Sequence, residues 1–141
     1  MTASIFALLE KIGFTHPLHP ALTHVPMGMV MGCFFFSLLA WTARKPELNR
    51  TAMHCSVMAL LFIVPTIVAG LLDWQHRFGG QFEPLIIVKM VLAAVLTGLL
   101  VYVVILHRKN AEAKSIFLLY ALCLACAIGL GFSGGELVYG N

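Results

Sequence analysis

The sequence predicts an all-α fold, a four-helix transmembrane bundle with a short N-terminal helix at the membrane interface. Two observations support this prediction. Of the 141 residues, 60% are hydrophobic and 11% are charged, with a mean hydropathy of +0.94, whereas soluble domains carry about 25% charged residues. The charged residues are also clustered, so that long runs of the chain contain no Lys, Arg, Asp or Glu. Residues 1–141 are therefore predicted to form a single membrane domain.

Four charge-free runs define the predicted helices. They lie between Lys11 and Arg44, Arg50 and Asp73, Lys89 and Arg108, and Lys114 and Glu136. Each run is close to or longer than the roughly 20 apolar residues that a helix needs to cross a bilayer. The runs are continuous rather than alternating, which argues against a β-barrel. We predict spans of about 20–43, 50–72, 84–107 and 115–133.

Local signals shape these helices. Residues 4–14 have apolar side chains on one side and are predicted to form the interfacial helix. The first helix is expected to begin near Pro20 to Pro26, so that Pro26 lies either in its first turn, where a missing amide is tolerated, or about a turn inside, where it would bend the helix and free the Leu22 carbonyl. Pro65 is expected to kink the second helix. The fourth helix is expected to end at Gly134 and Gly135, since glycine suits a helix C-terminus.

The basic residues predict the orientation of the bundle. Six of the nine flank the first and third connections: Arg44, Lys45, Arg50, Arg108, Lys109 and Lys114. The positive-inside rule places these connections in the cytoplasm. We therefore expect a multi-pass protein of the bacterial inner membrane with both termini periplasmic. The small net charge of +3 gives no reason to expect nucleic acid as a partner.

Polar residues collect at the opposite, predicted periplasmic end of all four helices. The predicted cofactor-binding residues are His19, His24, Asp73, Trp74, Lys89 and Glu136, with His16 and His76 nearby. A lysine inside the bilayer costs several kcal/mol unless it reaches the interface, lines water or finds a partner. Lys89 should lie at least one turn inside, and Asp73 and Glu136 are its expected partners.

Histidines in this cluster suggest a metal or haem ligand. His24 is the best single candidate for haem b, because histidines commonly hold such haems in helical bundles, and Gly28 offers space for a flat macrocycle. His19 is a second candidate, although five residues of helix point the two rings about 140° apart. A bent segment or His76 would then supply the other axial ligand, or none exists.

Other sites receive less support from the sequence. His24, Met27 and Met31 share a helix face and suit Cu(I), but such methionines usually pack, and copper is not expected. His54 and His107 are expected at the basic end, where a second haem is one reading and contact with headgroups the other. Cys123 and Cys126 form a C-x-x-C pair in the middle of the membrane, where packing is expected.

Three motifs resemble a known family. They are residues 19–26 (HPALTHVP), residues 70–74 (GLLDW) and residues 133–139 (SGGELVY). In this order they resemble a bacterial family of predicted four-helix membrane proteins catalogued as a domain of unknown function, over nearly the whole chain from Thr15. Many members carry a histidine early in the third helix, where this sequence is similar to a subgroup with lysine, here Lys89. The resemblance implies a role near redox proteins, in membrane electron transfer.

The residues and the resemblance together give a functional hypothesis. We expect a small membrane redox subunit, b-type haem-binding or quinone-interacting or both, that passes electrons at the periplasmic face. It would be an electron-transfer subunit rather than a stand-alone enzyme, since no nucleophile, phosphate-loop or dinucleotide motif is present. Its expected partners are the lipid bilayer and either a redox protein or further copies of the chain. A cofactor-free proton-coupled carrier component and an assembly subunit of a larger respiratory complex are the alternatives.

Overall fold

Four long helices make up the computed structural model of the chain. The structure describes residues 18–77 and 79–139, together with residues 7, 10, 11 and 13, but not the side chains of residues 77, 138 and 139. The helices are α1 (Leu18–Thr42), α2 (Glu47–Arg77), α3 (Pro84–Arg108) and α4 (Ala113–Tyr139). All four are long and apolar enough to cross a membrane. The predicted four-helix membrane fold is confirmed.

The helices alternate in direction and pack in the ring order α1, α2, α3, α4. Contacts are most extensive between α1 and α2, and sparsest between α2 and α3. One end of the bundle carries the starts of α1 and α3 and the ends of α2 and α4, and we call it the cavity end. The other end, which we call the basic end, carries the two connections at residues 43–46 and 109–112, in and beside which six of the nine Lys and Arg residues lie.

The helix bounds differ from the predicted spans in one informative place. The predicted stop at Gly134 and Gly135 is wrong, because α4 continues to Tyr139. A glycine ends a helix when it adopts a positive φ, and among the described glycines only Gly13, Gly79 and Gly80 do so. The predicted interfacial helix at residues 4–14 lies largely outside the described residues.

The core contains a polar chain to which every helix contributes one side chain. Cys33, Ser56 and Tyr120 are fully buried. The Ser56 hydroxyl lies 3.4 Å from Cys33 Sγ and 2.5 Å from the Tyr120 hydroxyl, which lies 3.1 Å from Nε2 of half-buried His107. Hydrogen bonds between helices hold membrane bundles together where burial of apolar surface cannot. This set of four side chains, which we call the Tyr120 network, therefore links all four helices in the basic half of the bundle.

The two glycines of the G-x-x-x-G pair in α1 have different surroundings. A Cβ on Gly32 would lie 3.3 Å from Cys55 Sγ, so this glycine brings α1 close to α2. A Cβ on Gly28 would meet no atom within 4 Å. Of this pair, only Gly32 therefore mediates a close approach of two helices.

Candidate functional site

A large cavity opens between the helices at the cavity end. Its volume is about 1010 Å³, at the upper end of the roughly 300–1,000 Å³ usual for small-molecule sites. All four helices line it, mostly with apolar side chains such as Met27, Ile63, Ile86, Met90, Leu96 and Leu130. The polar or ionisable side chains of its lining are His19, Thr23, His24, Thr66, Asp73, Trp74, Lys89 and Thr97.

Asp73 fixes the start of α1 from a neighbouring helix. Its carboxylate is buried and accepts hydrogen bonds from the backbone N–H groups of Leu18, at 3.2 Å, and His19, at 2.8 Å. The first amides of a helix have no partner within the helix. A carboxylate near them is also stabilised by the positive N-terminal end of the helix dipole. Asp73 therefore caps α1, although 54 residues separate it from His19.

The His19 ring is held against α2 by a hydrogen bond and a close contact. Nδ1 lies 3.0 Å from the carbonyl oxygen of Thr66. Because a carbonyl only accepts, Nδ1 carries the hydrogen, and Nε2 of the neutral ring is left as an acceptor. A Cβ on Gly70 would lie 2.9 Å from Nδ1. The second motif thus provides the space that the ring of the first motif fills.

Thr66 also compensates for Pro26. Its hydroxyl oxygen lies 2.7 Å from the carbonyl of Phe62 and 3.4 Å from that of Leu22, so the single hydrogen is shared between them. Leu22 is the residue whose carbonyl loses its donor to the proline ring. Of the two positions expected for Pro26, the structure has the one inside the helix, and it supplies a donor for the freed carbonyl from α2.

Lys89 brings a cation into the cavity. Its Nζ lies 3.6 Å from the position that a Cβ on Gly134 would occupy, so this glycine leaves room for the ammonium group. The side chain is half-buried and interacts electrostatically with Asp73 and His19. Within residues 18–77 and 79–139, neither Asp73 nor Glu136 forms the ion pair with Lys89 that we expected. Asp73 is engaged with the α1 amides, and Glu136 is exposed.

The comparison with known families matches most of the chain. Residues 15–141 match DUF2231, a family described as a predicted membrane protein. The chain belongs to the DUF2231 family. No match was found among curated proteins or among solved structures. Membership agrees with the four membrane-spanning helices and leaves the activity open.

Two of the three motifs by which the chain resembles this family meet at one helix junction. His19 contacts Gly70, Asp73 caps the turn that carries His19, and Pro26 depends on Thr66 of α2. The third motif contributes Gly134, beside Lys89. The residues of these motifs therefore have a structural role, whether or not they also bind a ligand.

The remaining predicted residues take different positions. His24 is exposed and lines the cavity, whereas Glu136 is exposed and is not part of the lining. Trp74 lines the cavity, donates from Nε1 to the carbonyl of Gln81 at 2.8 Å, and packs on Phe82 with ring centroids 4.8 Å apart. His76 is exposed, and His16 lies outside the described residues.

The predicted metal-ligand candidates are not clustered. No group of three or more His, Cys, Asp and Glu side chains that could hold a metal occurs in the described part of the chain. Of the possible copper ligands, Met27 lines the cavity, but Met31 is 49% exposed and is not part of the lining. A haem needs only one or two protein ligands, so His19 and His24 remain candidates for that role.

At the basic end, the two predicted histidines have separate environments. His54 is exposed on α2, and His107 contacts Tyr120.

Sequence reasoning missed the roles of two residues at the cavity end, Thr66 as a hydrogen-bond donor and Gly134 as the residue that leaves space for Lys89. Thr66 falls seven residues before Asp73 and four before Gly70, on one helix face. That spacing is the signal by which it could have been found.

Proposed function

We propose that this chain is a small membrane redox subunit, which binds a flat redox cofactor in the cavity and passes electrons to a redox protein at the cavity end. The observation that supports it is the cavity itself, large and apolar, with the His19 ring and the Lys89 ammonium on its walls. Ligand sites typically combine an apolar lining with a few convergent polar groups. The basic residues of the other end support a periplasmic position for the cavity.

The residues of the cavity fit haem b. A metal-ligating histidine usually donates its other ring N–H to a carbonyl or carboxylate, and His19 donates Nδ1–H to Thr66 in this way. His24 lines the cavity one turn further along α1. Lys89 would neutralise a haem carboxylate. Haem would supply one-electron chemistry, while the chain orients it and excludes water.

The same residues fit a quinone and its reduced form, the quinol. A lysine ammonium donates hydrogen bonds to a carbonyl oxygen, and an imidazole nitrogen accepts one from a hydroxyl group. Either cofactor therefore uses His19 and Lys89. The redox proposal depends on one of the two being bound.

The test is a spectrum and an extraction of the purified protein. In mild detergent we expect either reduced-minus-oxidised bands of b-type haem, with a positive pyridine haemochrome assay, or quinone in an organic extract. His19→Asn and His24→Ala should lower the bound cofactor, whereas His54→Ala, at the basic end, should leave it unchanged. Folded protein that carries neither cofactor, when expressed with both available, would refute the redox function.

A second candidate function is an assembly subunit of a larger respiratory complex. It is favoured by the junction of His19, Gly70 and Asp73, which has a structural role of its own. Co-purification with partner subunits, lost in Asp73→Ala while any spectrum persists, would support it. The cofactor-free carrier has less support, because the buried side chains between the cavity and the Tyr120 network, such as Val30 and Leu100, are apolar.

A further inference from the structure

Two polar side chains of the cavity, on different helices, offer complementary hydrogen-bonding groups to a ligand. Lys89 on α3 supplies donors, and Nε2 of His19 on α1 supplies an acceptor, since Nδ1 is committed to the Thr66 carbonyl. The two side chains are close enough to interact electrostatically. The rest of the lining offers mainly apolar contact. A flat ring with one oxygen that accepts a hydrogen bond and a second that donates one, as in a quinol, would satisfy both groups.

The cavity lining also includes exposed apolar side chains, which we take as a lateral opening toward the surrounding lipid. Ile67 and Leu71 of α2 line the cavity and are 39% and 45% exposed, and Ala94 of α3 is a further exposed lining residue. They come from α2 and α3, the neighbouring helices with the sparsest contacts in the ring, and we assign the opening to the seam between these two helices. A long hydrocarbon chain could therefore pass from the cavity into the bilayer without burying a polar group.

We infer that the cavity ligand is an isoprenoid quinone or quinol, whose headgroup lies between Lys89 and His19 and whose tail leaves between α2 and α3. The inference rests on the proposed redox function and narrows it to one class of ligand. A quinone oxygen accepts hydrogen bonds from the Lys89 ammonium, and a quinol hydroxyl donates to His19 Nε2. Haem, by contrast, has no tail that would use the lateral opening.

The intrinsic fluorescence of Trp74 can report binding in the cavity. It has two tryptophans: Trp74 lines the cavity, whereas Trp41 stacks on Phe117, at 5.1 Å between centroids, near the basic end. In a Trp41→Phe background, added decylubiquinone should quench Trp74 fluorescence to saturation. The reverse variant, Trp74→Phe, which keeps only Trp41, should show no saturable quenching.

Substitutions at the two polar groups then test the headgroup. Lys89→Met should raise the apparent Kd about tenfold, equivalent to about 1.4 kcal/mol, whereas Lys89→Arg, which keeps donors and charge, should stay within about threefold. His19→Asn keeps a donor for the Thr66 carbonyl but removes Nε2, the acceptor for a quinol hydroxyl. It should therefore weaken binding of decylubiquinol, measured by competition with decylubiquinone, about fivefold, and should change binding of decylubiquinone, which has no hydroxyl donor, much less. Unchanged thermal unfolding in detergent will show that these variants remain folded.

A second pair of variants tests the tail. Ala94→Phe should obstruct the seam and weaken binding of decylubiquinone. It should not weaken binding of the same headgroup without a tail, 2,3-dimethoxy-5-methyl-1,4-benzoquinone. Val95→Phe is the matched control, because Val95 is 46% exposed and does not line the cavity. Equal effects of the two phenylalanines would overturn the assigned tail path.

The outcomes separate the inference from the function on which it rests. Saturable quenching that depends on Lys89 supports both. Stoichiometric haem, without saturable quinone binding, overturns the inference and leaves the redox function standing. Folded protein that binds neither cofactor overturns both. Quenching by decylubiquinone unaffected by Lys89→Met, together with quinol binding unaffected by His19→Asn, overturns the assigned headgroup position.

Discussion

Gly70 gives the sharpest test of the α1–α2 junction. In Gly70→Ala, the new Cβ would lie 2.9 Å from Nδ1 and 3.3 Å from Cε1 of His19. The ring must move, and with it the 3.0 Å hydrogen bond from Nδ1 to the Thr66 carbonyl. Overpacking costs about 1–3 kcal/mol and a lost hydrogen bond about 1 kcal/mol. The gain in helix propensity is only about 1 kcal/mol, so we expect a net loss of about 1–3 kcal/mol in the free energy of unfolding.

The same substitution elsewhere supplies the control. A Cβ on Gly98 of α3 would meet no atom within 4 Å. Gly98→Ala should therefore leave stability unchanged or raise it by up to about 1 kcal/mol. Unfolding in mixed dodecylmaltoside and SDS micelles, followed by circular dichroism, measures both variants. Gly70→Ala should lower the free energy of unfolding, whereas Gly98→Ala, the same substitution in another helix, should leave it unchanged or raise it.

A double-mutant cycle identifies the cause. If the His19 ring is the obstacle, Gly70→Ala should cost less in a His19→Ser background than in the native chain, by about 1 kcal/mol or more. Equal costs in the two backgrounds, or a Gly70→Ala variant as stable as Gly98→Ala, would refute the packing argument.

Three further substitutions test hydrogen bonds that the structure assigns. Asp73→Ala should destabilise the bundle by about 2–3 kcal/mol and speed hydrogen exchange in the first turn of α1, because the cap is a buried carboxylate; slow exchange there would contradict the cap. Thr66→Val should cost about 1 kcal/mol more than Thr97→Val, whose hydroxyl bonds only within its helix in the described structure; equal costs would remove the link to Leu22. Tyr120→Phe should lower the free energy of unfolding by about 1–3 kcal/mol, and Tyr102→Phe, on a 51% exposed side chain, by far less.

The sequence was sufficient to predict the helices, because the bilayer penalises charge so strongly that each charge-free run marks a span. It also predicted the unpaired carbonyl at Leu22, as one of two interpretations of Pro26, because the loss of the amide donor is a local consequence of proline. The donor to that carbonyl could not be predicted, since Thr66 lies 44 residues away. Such a partner depends on the rotation of α2 about its own axis, which composition does not determine.

The candidate site likewise has features that the sequence predicts and features that it does not. The gathering of His19, Asp73 and Lys89 at one end followed from topology alone. Their division of roles did not, because Asp73 caps a helix rather than pairing with Lys89, and only packing decides this. Gly134 was misjudged for a related reason, since a glycine that makes room for a neighbour has the same sequence signature as one that ends a helix.

The Tyr120 network has a consequence for how the protein reaches its native state. Cys33, Ser56, His107 and Tyr120 come from four different helices, so no pair of helices completes the chain of hydrogen bonds. An insertion intermediate that lacks α4 would leave the Ser56 hydroxyl and His107 without Tyr120 in a medium that offers no water. Docking of α4 should therefore be the step that makes the bundle cooperative. A chain that ends after α3 should be recognised in the cell as unfinished and degraded.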